Sequence, residues 1–246
     1  MMMRIMVVNS GLAERQGFGA GALSRGASAS ASGCGDRVRR ARNPSGFYRR
    51  HAKRWADLAL AILMILPVTA VVAIIAALVA LDGGRPFYVQ PRVGLRGRIF
   101  PMFKIRTMVP DAEAALERHL ESDPAARAEW AHHQKLRNDP RVTRLGQFLR
   151  RSSLDELPQF YNVLRGDMAL VGPRPFMPSQ QAYYGGSEYY ALRPGITGFW
   201  QTSVRNEASF VQRAAYDRSY YHALSPMTDL RTIWRTLRVV MRGTGS

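Results

Sequence analysis

Cysteine is nearly absent. Cys34 stands alone in 246 residues, so no intrachain disulfide can form, and the fold either sits in a reducing compartment or needs no covalent staple. Histidine is scarce too: of five, only His132 and His133 are adjacent. Neighbours in sequence point away from each other on a helix, which argues against a metal site there. Acidic residues are outnumbered, with 18 Asp and Glu against 35 Lys and Arg, for a formal net charge of +17. That excess selects anionic partners, whether nucleic acid, acidic phospholipid or a phosphorylated substrate, without choosing among them. Zinc-finger spacing, a helix-turn-helix and an RNA-recognition signature are all missing, which counts against nucleic acid. No apolar core precedes a cleavage-like site, so a secretory signal is a poor reading of the N-terminus.

What is present falls into segments. The length suits one domain with appendages. Residues 1–46 are rich in Gly, Ala and Ser between Gly17 and Gly35 and read as a mobile tail, too poor in large apolar residues to offset the cost of ordering. A basic block follows, from Arg37 to Arg54, placed to meet anionic membrane lipids or simply to be solvated. Leu58 to Leu81 is an apolar run long enough to span a bilayer as a helix. Two features favour a re-entrant course over a straight span. Pro67 near its middle removes a hydrogen bond and bends the helix, and both flanks are basic, so both ends prefer the cytoplasmic side. Pro86 to Val93 and Arg98 to Ile105 read as a hairpin around Gly94-Leu95-Arg96-Gly97, with Pro91 marking an edge strand. Asp111 to Leu136 reads as a solvated helix pair interrupted at Asp123-Pro124. Val142 to Leu149 reads as a short basic helix that delivers Arg150.

The chemistry concentrates downstream. Ser153-Leu154-Asp155-Glu156 matches a capping box, which would put adjacent carboxylates at a helix start. Pro173-Arg174-Pro175, after Gly166 and Gly172, forms a stiff loop able to present Arg174. Arginine recognises phosphate through a planar fork of donors. A carboxylate beside Mg²⁺ can attack phosphorus when the metal and arginines neutralise the phosphoryl oxygens. Capping and catalysis both account for the dyad at this level. Tyr183, Tyr184, Tyr189 and Tyr190 suit either a membrane interface or a core, and Trp200 suits either packing or a substrate wall. The last helix carries Leu230, Ile233, Trp234, Leu237 and Met241 on one face and arginines on another. It would lie in the headgroup layer or pack on the domain.

The motifs Lys53-Arg54-x-x-Asp57, Gln90-x-Arg92-Val93-Gly94, Phe103-Lys104-x-Arg106-Thr107-Met108, Asn138-Asp139-Pro140-Arg141-Val142-Thr143, Ser153 to Gln159, Asn162 to Met168, Val171 to Pro175 and Arg193 to Gly198 recur in order. In them the sequence resembles the bacterial sugar transferases that act as monotopic polyprenyl-phosphate phosphoglycosyl transferases. The likeness is greatest to the hexose-1-phosphate transferases that initiate exopolysaccharide repeats.

The resemblance implies that Asp155 attacks the β-phosphate of a UDP-sugar and releases UMP. Polyprenyl (undecaprenyl) phosphate would then take the phosphosugar from the enzyme. It implies that Glu156 assists as metal partner or base, that Asp155 and Glu156 meet Mg²⁺ or Mn²⁺, and that Arg150 and Arg174 bind phosphate. It also matches the membrane helix break at Pro67. The chain departs from the family pattern at Leu66, at Ser203-Val204-Arg205 and at Leu224-Ser225-Pro226. The fold expected is α+β and mostly helical: a re-entrant membrane helix hairpin over 58–81, a small β-hairpin and amphipathic interfacial helices around a cytosolic catalytic core. A transferase domain is expected over 47–246, on the cytoplasmic face of a bacterial inner membrane. The donor sugar, galactose or glucose by likeness, and assembly as a homo-oligomer stay open. A membrane-tethered nucleic-acid binder and a non-catalytic scaffold of polysaccharide assembly are the competing readings.

Overall fold

The computed structural model describes residues 46–133, 136, 138–203, 210 and 212–241. The tail expected over 1–46 lies outside these residues apart from Gly46, as do Arg37, Arg39, Arg40 and Arg42, the pair Val204-Arg205, and Arg242.

A π-helical turn, Tyr48–Ala52, leads into α1, Lys53–Ala80, whose 28 residues contain the whole apolar run up to its last residue. It is long and apolar enough to cross a membrane by length and composition. The helix is continuous through Pro67. A proline keeps a helical φ while deleting one hydrogen bond, so a re-entrant course must come from a bend within one helix, and not from two helices joined by loop residues. Ile62, Leu63, Leu66, Ile74 and Leu81 are exposed.

Both ends of α1 are anchored on the rest of the chain. At its start, Asp57 is buried, bonds Lys53 Nζ at 3.0 Å and accepts from the Leu170 N–H at 3.3 Å. Lys53 also reaches Asp229 at 3.0 Å, and the hydroxyls of Tyr48 and Tyr220 both donate to Asp229 at 2.7 Å. Buried charge is tolerated when it is paired and hydrogen-bonded in this way. Four residues further, Ala61 packs among Phe100, Met102, Val163, Met168 and Leu170. At the far end, Ile75 and Val79 pack against Ile105 and Leu149. Arg106 then ties Asp82 and the Val79 carbonyl to the strand exit.

The strands β1, Phe87–Val93, and β2, Ile99–Ile105, pair antiparallel from Phe87 opposite Ile105 to Val93 opposite Ile99. In this two-stranded sheet Pro91 faces Pro101, and both strands are edges, the setting in which proline is tolerated. The linking turn places Arg96 and Gly97 at positive φ, 56° and 75°. Helices α2, Ala112–Ser122, and α3, Pro124–His133, break at Asp123 as the sequence suggests. Then come α4, Arg144–Ser152, and α5, Gln159–Arg165.

A second sheet was not legible. β3, Ala169–Val171, and β4, Gly195–Thr197, form a short parallel pair. Backbones meet so closely here that a Cβ on Gly195 would sit 2.1 Å from the Gly172 nitrogen. These glycines mark close approach of two chains as well as turns.

Helices α6, Phe199–Ser203, α7, Arg213–Ala223, and α8, Pro226–Met241, complete the fold. Tyr184, Tyr189 and Tyr190 are core, packed with Val93 and Phe176, while Tyr183 is exposed. In α8, Ile233 leaves the stripe expected of it and packs inward beside Tyr220 and Leu224. Leu230, Trp234, Leu237 and Met241 remain exposed as one apolar face.

Candidate functional site

Asp155 and Glu156 sit in a single 3-10 turn, Leu154–Glu156, between α4 and α5. The capping-box expectation fails here. Ser153 makes no side-chain cap, and its φ of 57° ends α4, with its N–H bonded to the Arg150 and Leu149 carbonyls. A left-handed residue terminates a helix, so the dyad lies at a break between helices. It lies in the first turn of a 3-10 segment that runs through Leu157 and Pro158, both in the right-handed helical region, into α5, so a helix start is observed although the Ser153 side chain does not cap it.

The break is positioned by packing. Gly146 of α4 lies against the Thr107 carbonyl so tightly that a Cβ would come within 2.0 Å of that oxygen. The Thr143 N–H donates to the same carbonyl at 3.1 Å. This fixes α4 at the exit of β2, where Arg150 Nε donates to Thr107 Oγ1 at 2.9 Å. On the other side, buried Asn162 of α5 accepts from the Phe103 N–H at 3.1 Å and donates to the Pro101 carbonyl at 2.7 Å. Strand β2 is thus stitched to both helices that flank the dyad.

Lys104 follows from that stitching. It is on the same side of β2 as Phe100 and Met102 by strand alternation. Its Nζ lies 3.4 Å from Asp155 Oδ2 and 2.8 Å from Glu156 Oε1. Arg174 Nη2 stands 3.6 Å from the same Glu156 oxygen. Burial holds the Asp155 carboxyl above its ordinary range, with Glu156 adding to the rise, while Lys104 and Arg150 pull it down. Asp155 is therefore a buried carboxyl raised by desolvation and faced by cations that favour its ionised form.

The Arg174 loop is gripped from two sides. Arg213 Nη2 donates to the Arg174 carbonyl at 2.7 Å, and Arg92 Nη1 to the Pro175 carbonyl at 3.4 Å. Burial first, then the neighbouring Arg174, push Arg92 down to about 10, so it remains a cation at neutral pH. The Trp200 ring lies 5.9 Å from Arg174 and 4.9 Å from Arg213.

Thus the structure brings Asp155, Glu156 and Arg174 together, sets Arg150 close enough to bias Asp155, and leaves Pro67 apart in α1. Lys104, Thr107, Arg92 and Arg213 were not singled out from the sequence. Lys104, Thr107 and Arg92 stand within quoted motifs, while nothing in the sequence marks Arg213.

Among the described residues no cluster of three or more His, Cys, Asp or Glu is placed to hold a metal. The dyad nonetheless fits a hard divalent cation such as Mg²⁺ or Mn²⁺. Both carboxylates already converge on one cationic atom, and Mg²⁺ commonly takes one or two carboxylates and completes its shell with water and substrate phosphate.

Known proteins share much of this sequence. The chain is 43% identical over 199 residues to the UDP-galactose-lipid carrier transferase of Erwinia amylovora, covering 80% of this chain and 42% of the relative. It is 40% identical over 199 residues to the undecaprenyl-phosphate galactose phosphotransferase of Salmonella typhimurium, with the same coverage of 80% and 42%. The chain therefore spans about two fifths of the length of these relatives. It is also 40% identical over 198 residues to the exopolysaccharide production protein ExoY of Sinorhizobium fredii, covering 79% of this chain and 88% of that one. The sequence profile of the bacterial sugar transferases matches residues 48–243, from the π-helical turn through all of α8, and the chain belongs to that family.

Proposed function

We propose that the protein transfers a sugar-1-phosphate from a UDP-sugar to a polyprenyl phosphate such as undecaprenyl phosphate, beginning a surface glycan such as an exopolysaccharide. The observation that carries this reading is the Asp155–Glu156 pair with Lys104 between them and Arg174 beside it. One relative is named for undecaprenyl phosphate and another for exopolysaccharide production, which supports the acceptor and the role.

The ionised Asp155 carboxylate attacks the β-phosphorus of the donor. An oxygen–phosphorus bond forms at Asp155, the bond to the bridging oxygen breaks, and UMP departs with that electron pair. An oxygen of polyprenyl phosphate then attacks the same phosphorus and returns Asp155 to its carboxylate. Lys104, Arg150 and Arg174 neutralise charge on the phosphoryl oxygens, and the fork of Arg174 orients them. Asp155 and Glu156 would hold a divalent cation, which supplies further neutralisation of the phosphates.

The acceptor arrives from the bilayer, and the anchoring of α1 supports a seat on one membrane face. A straight helix crossing a hydrocarbon core of about 30 Å puts its ends on opposite sides. Here Ala61 and Ile75, on the two sides of Pro67, pack against the same strand β2, through Met102 and Ile105. That favours a bent, re-entrant helix on the cytoplasmic face of the inner membrane. The exposed stripe of α8, flanked by Arg231, Arg235 and Arg238, suits an interfacial helix.

The test is UMP release from a panel of UDP-sugars, UDP-galactose and UDP-glucose included, with polyprenyl phosphate and Mg²⁺. Asp155→Asn should abolish release, and undiminished turnover by that variant would remove Asp155 from the nucleophile's role.

A further inference from the structure

A cavity of about 370 Å³ lies on the far side of α5 from the dyad, between the start of α1, the β1–β2 turn and the strand β4 approach. Its lining includes Arg49, Arg54, Arg96 and Arg193. The dyad precedes α5, whereas Arg54 donates to the Val163 and Leu164 carbonyls at 2.8 and 3.3 Å, at the helix's other end. Arg193 Nε donates to the Gly166 carbonyl at 2.9 Å, closing the same end. Seven residues of helix, about 10 Å, separate the two places.

Arg49, Arg54 and Arg193 are oriented by backbone carbonyls. Arg49 bonds the Leu224 and His222 carbonyls. None of the four forms an ion pair with a carboxylate among the described residues. The one acid in the lining, Asp57, is committed to Lys53 and to the Leu170 N–H. Closing a helix C-terminus accounts for Arg54 and Arg193. It does not account for Arg96, which is exposed, sits at a left-handed φ of 56° and makes no hydrogen bond among the described residues. Three guanidinium groups held by neutral carbonyls, with the uncommitted Arg96 beside them, form a largely preorganised phosphate receptor.

Position says which phosphate. The cavity opens beside the first turn of α1, where the chain enters its apolar run. Trp55 of that turn is 72% exposed, an aromatic at the level where headgroups would lie. We propose that this cavity is a second phosphate-binding site, separate from the dyad, that holds the phosphodiester headgroup of an anionic phospholipid. It rests on the membrane seating inferred above and is independent of the transfer chemistry.

Native mass spectrometry of the full chain in detergent, with phosphatidylglycerol or phosphatidylcholine added, tests this. The wild type should retain one phosphatidylglycerol in preference to phosphatidylcholine. Arg96→Gln should weaken retention about tenfold, the scale of one charge-assisted hydrogen bond, and Arg96→Glu more. Arg118→Gln, an exposed position on α2 with the same charge change, should leave retention unaltered. Circular dichroism of each variant checks that it is folded. Equal loss in Arg118→Gln would reduce the effect to bulk charge, and absence of a retained lipid would remove the site. Displacement of the lipid by inorganic phosphate at matching concentration would make it a site for free phosphate instead, overturning the lipid assignment. No turnover is measured, so failure here leaves the transferase reading standing, and failure of UMP release leaves this site standing.

Discussion

Replacing Lys104 by Met separates charge from packing at the dyad, because the side chains are similar in length. The ammonium lies 2.8 Å from one carboxylate and 3.4 Å from the other, and all three side chains are 20% exposed or less. At an effective dielectric near 20, each contact represents roughly 5–6 kcal/mol of raw attraction. Desolvation offsets most of it, leaving about 1.5–3 kcal/mol, the usual net value of a hydrogen bond to a charged group. At about pH 8 the variant should therefore unfold roughly 5–10 °C lower in detergent, for a chain of this size. The sign with pH is fixed. Burial already raises the Asp155 carboxyl and Lys104 pulls it back, so removing Lys104 raises it further. The destabilisation is present while Asp155 is ionised and fades as falling pH protonates it. If Lys104 also neutralises the phosphoryl group, kcat for UMP release drops by about 100- to 1000-fold. Thermal unfolding across pH and UMP release measure both. Equal destabilisation at acid and alkaline pH would show that Lys104 acts by packing, and an unchanged kcat would show that it does not meet the reacting phosphate.

Other expectations concern the frame around the dyad. Asn162→Ala strands the Phe103 N–H and the Pro101 carbonyl and should cost about 2–5 kcal/mol by urea unfolding; a change below about 0.5 kcal/mol would refute the stitching of β2 to α5. Asp217, buried and accepting from Tyr184 at 2.6 Å, is pushed up to about 6 from 3.8, chiefly by burial. Its contribution to stability is thus fully present below about pH 4 and lost as pH rises through about 6, so Asp217→Asn should remove about 3 kcal/mol of that dependence, and an unaltered stability–pH curve would contradict it. Single cysteines at Gly46 and Gly83, in a chain lacking Cys34, should both react with an impermeant thiol reagent from the cytoplasmic side only; labelling from opposite sides would rule out the re-entrant seat.

The hairpin, the helix pair broken at Asp123-Pro124 and the long apolar helix were legible because each has a local cause: β-branched and aromatic alternation, a proline, an unbroken apolar run. Asp155, Glu156, Arg150 and Arg174 could be chosen because acids and arginines recur within one short stretch. Ser153 misled for a related reason. A capping-box pattern fits any Ser-x-x-Glu, and only the turn imposed by packing on both sides decides that Ser153 ends α4 at a left-handed φ and leaves its side chain out of the start of the turn that follows. Gly172 misled as a loop residue because close approach between distant segments, here to Gly195, leaves the same glycine signature as a bend.

From the sequence alone came the kind of chemistry, carboxylates among arginines beside a membrane-length apolar run, since charge, apolarity and residue type are local properties. Tertiary structure alone decided which cations serve the carboxylates. Lys104 comes from 51 residues before Asp155, and Arg92 and Arg213 grip the Arg174 loop from separate elements. It also decided that both ends of α1 rest on one domain. Such contacts depend on β2 being stitched to α4 and α5, and no local pattern encodes a distance between segments so far apart in the chain.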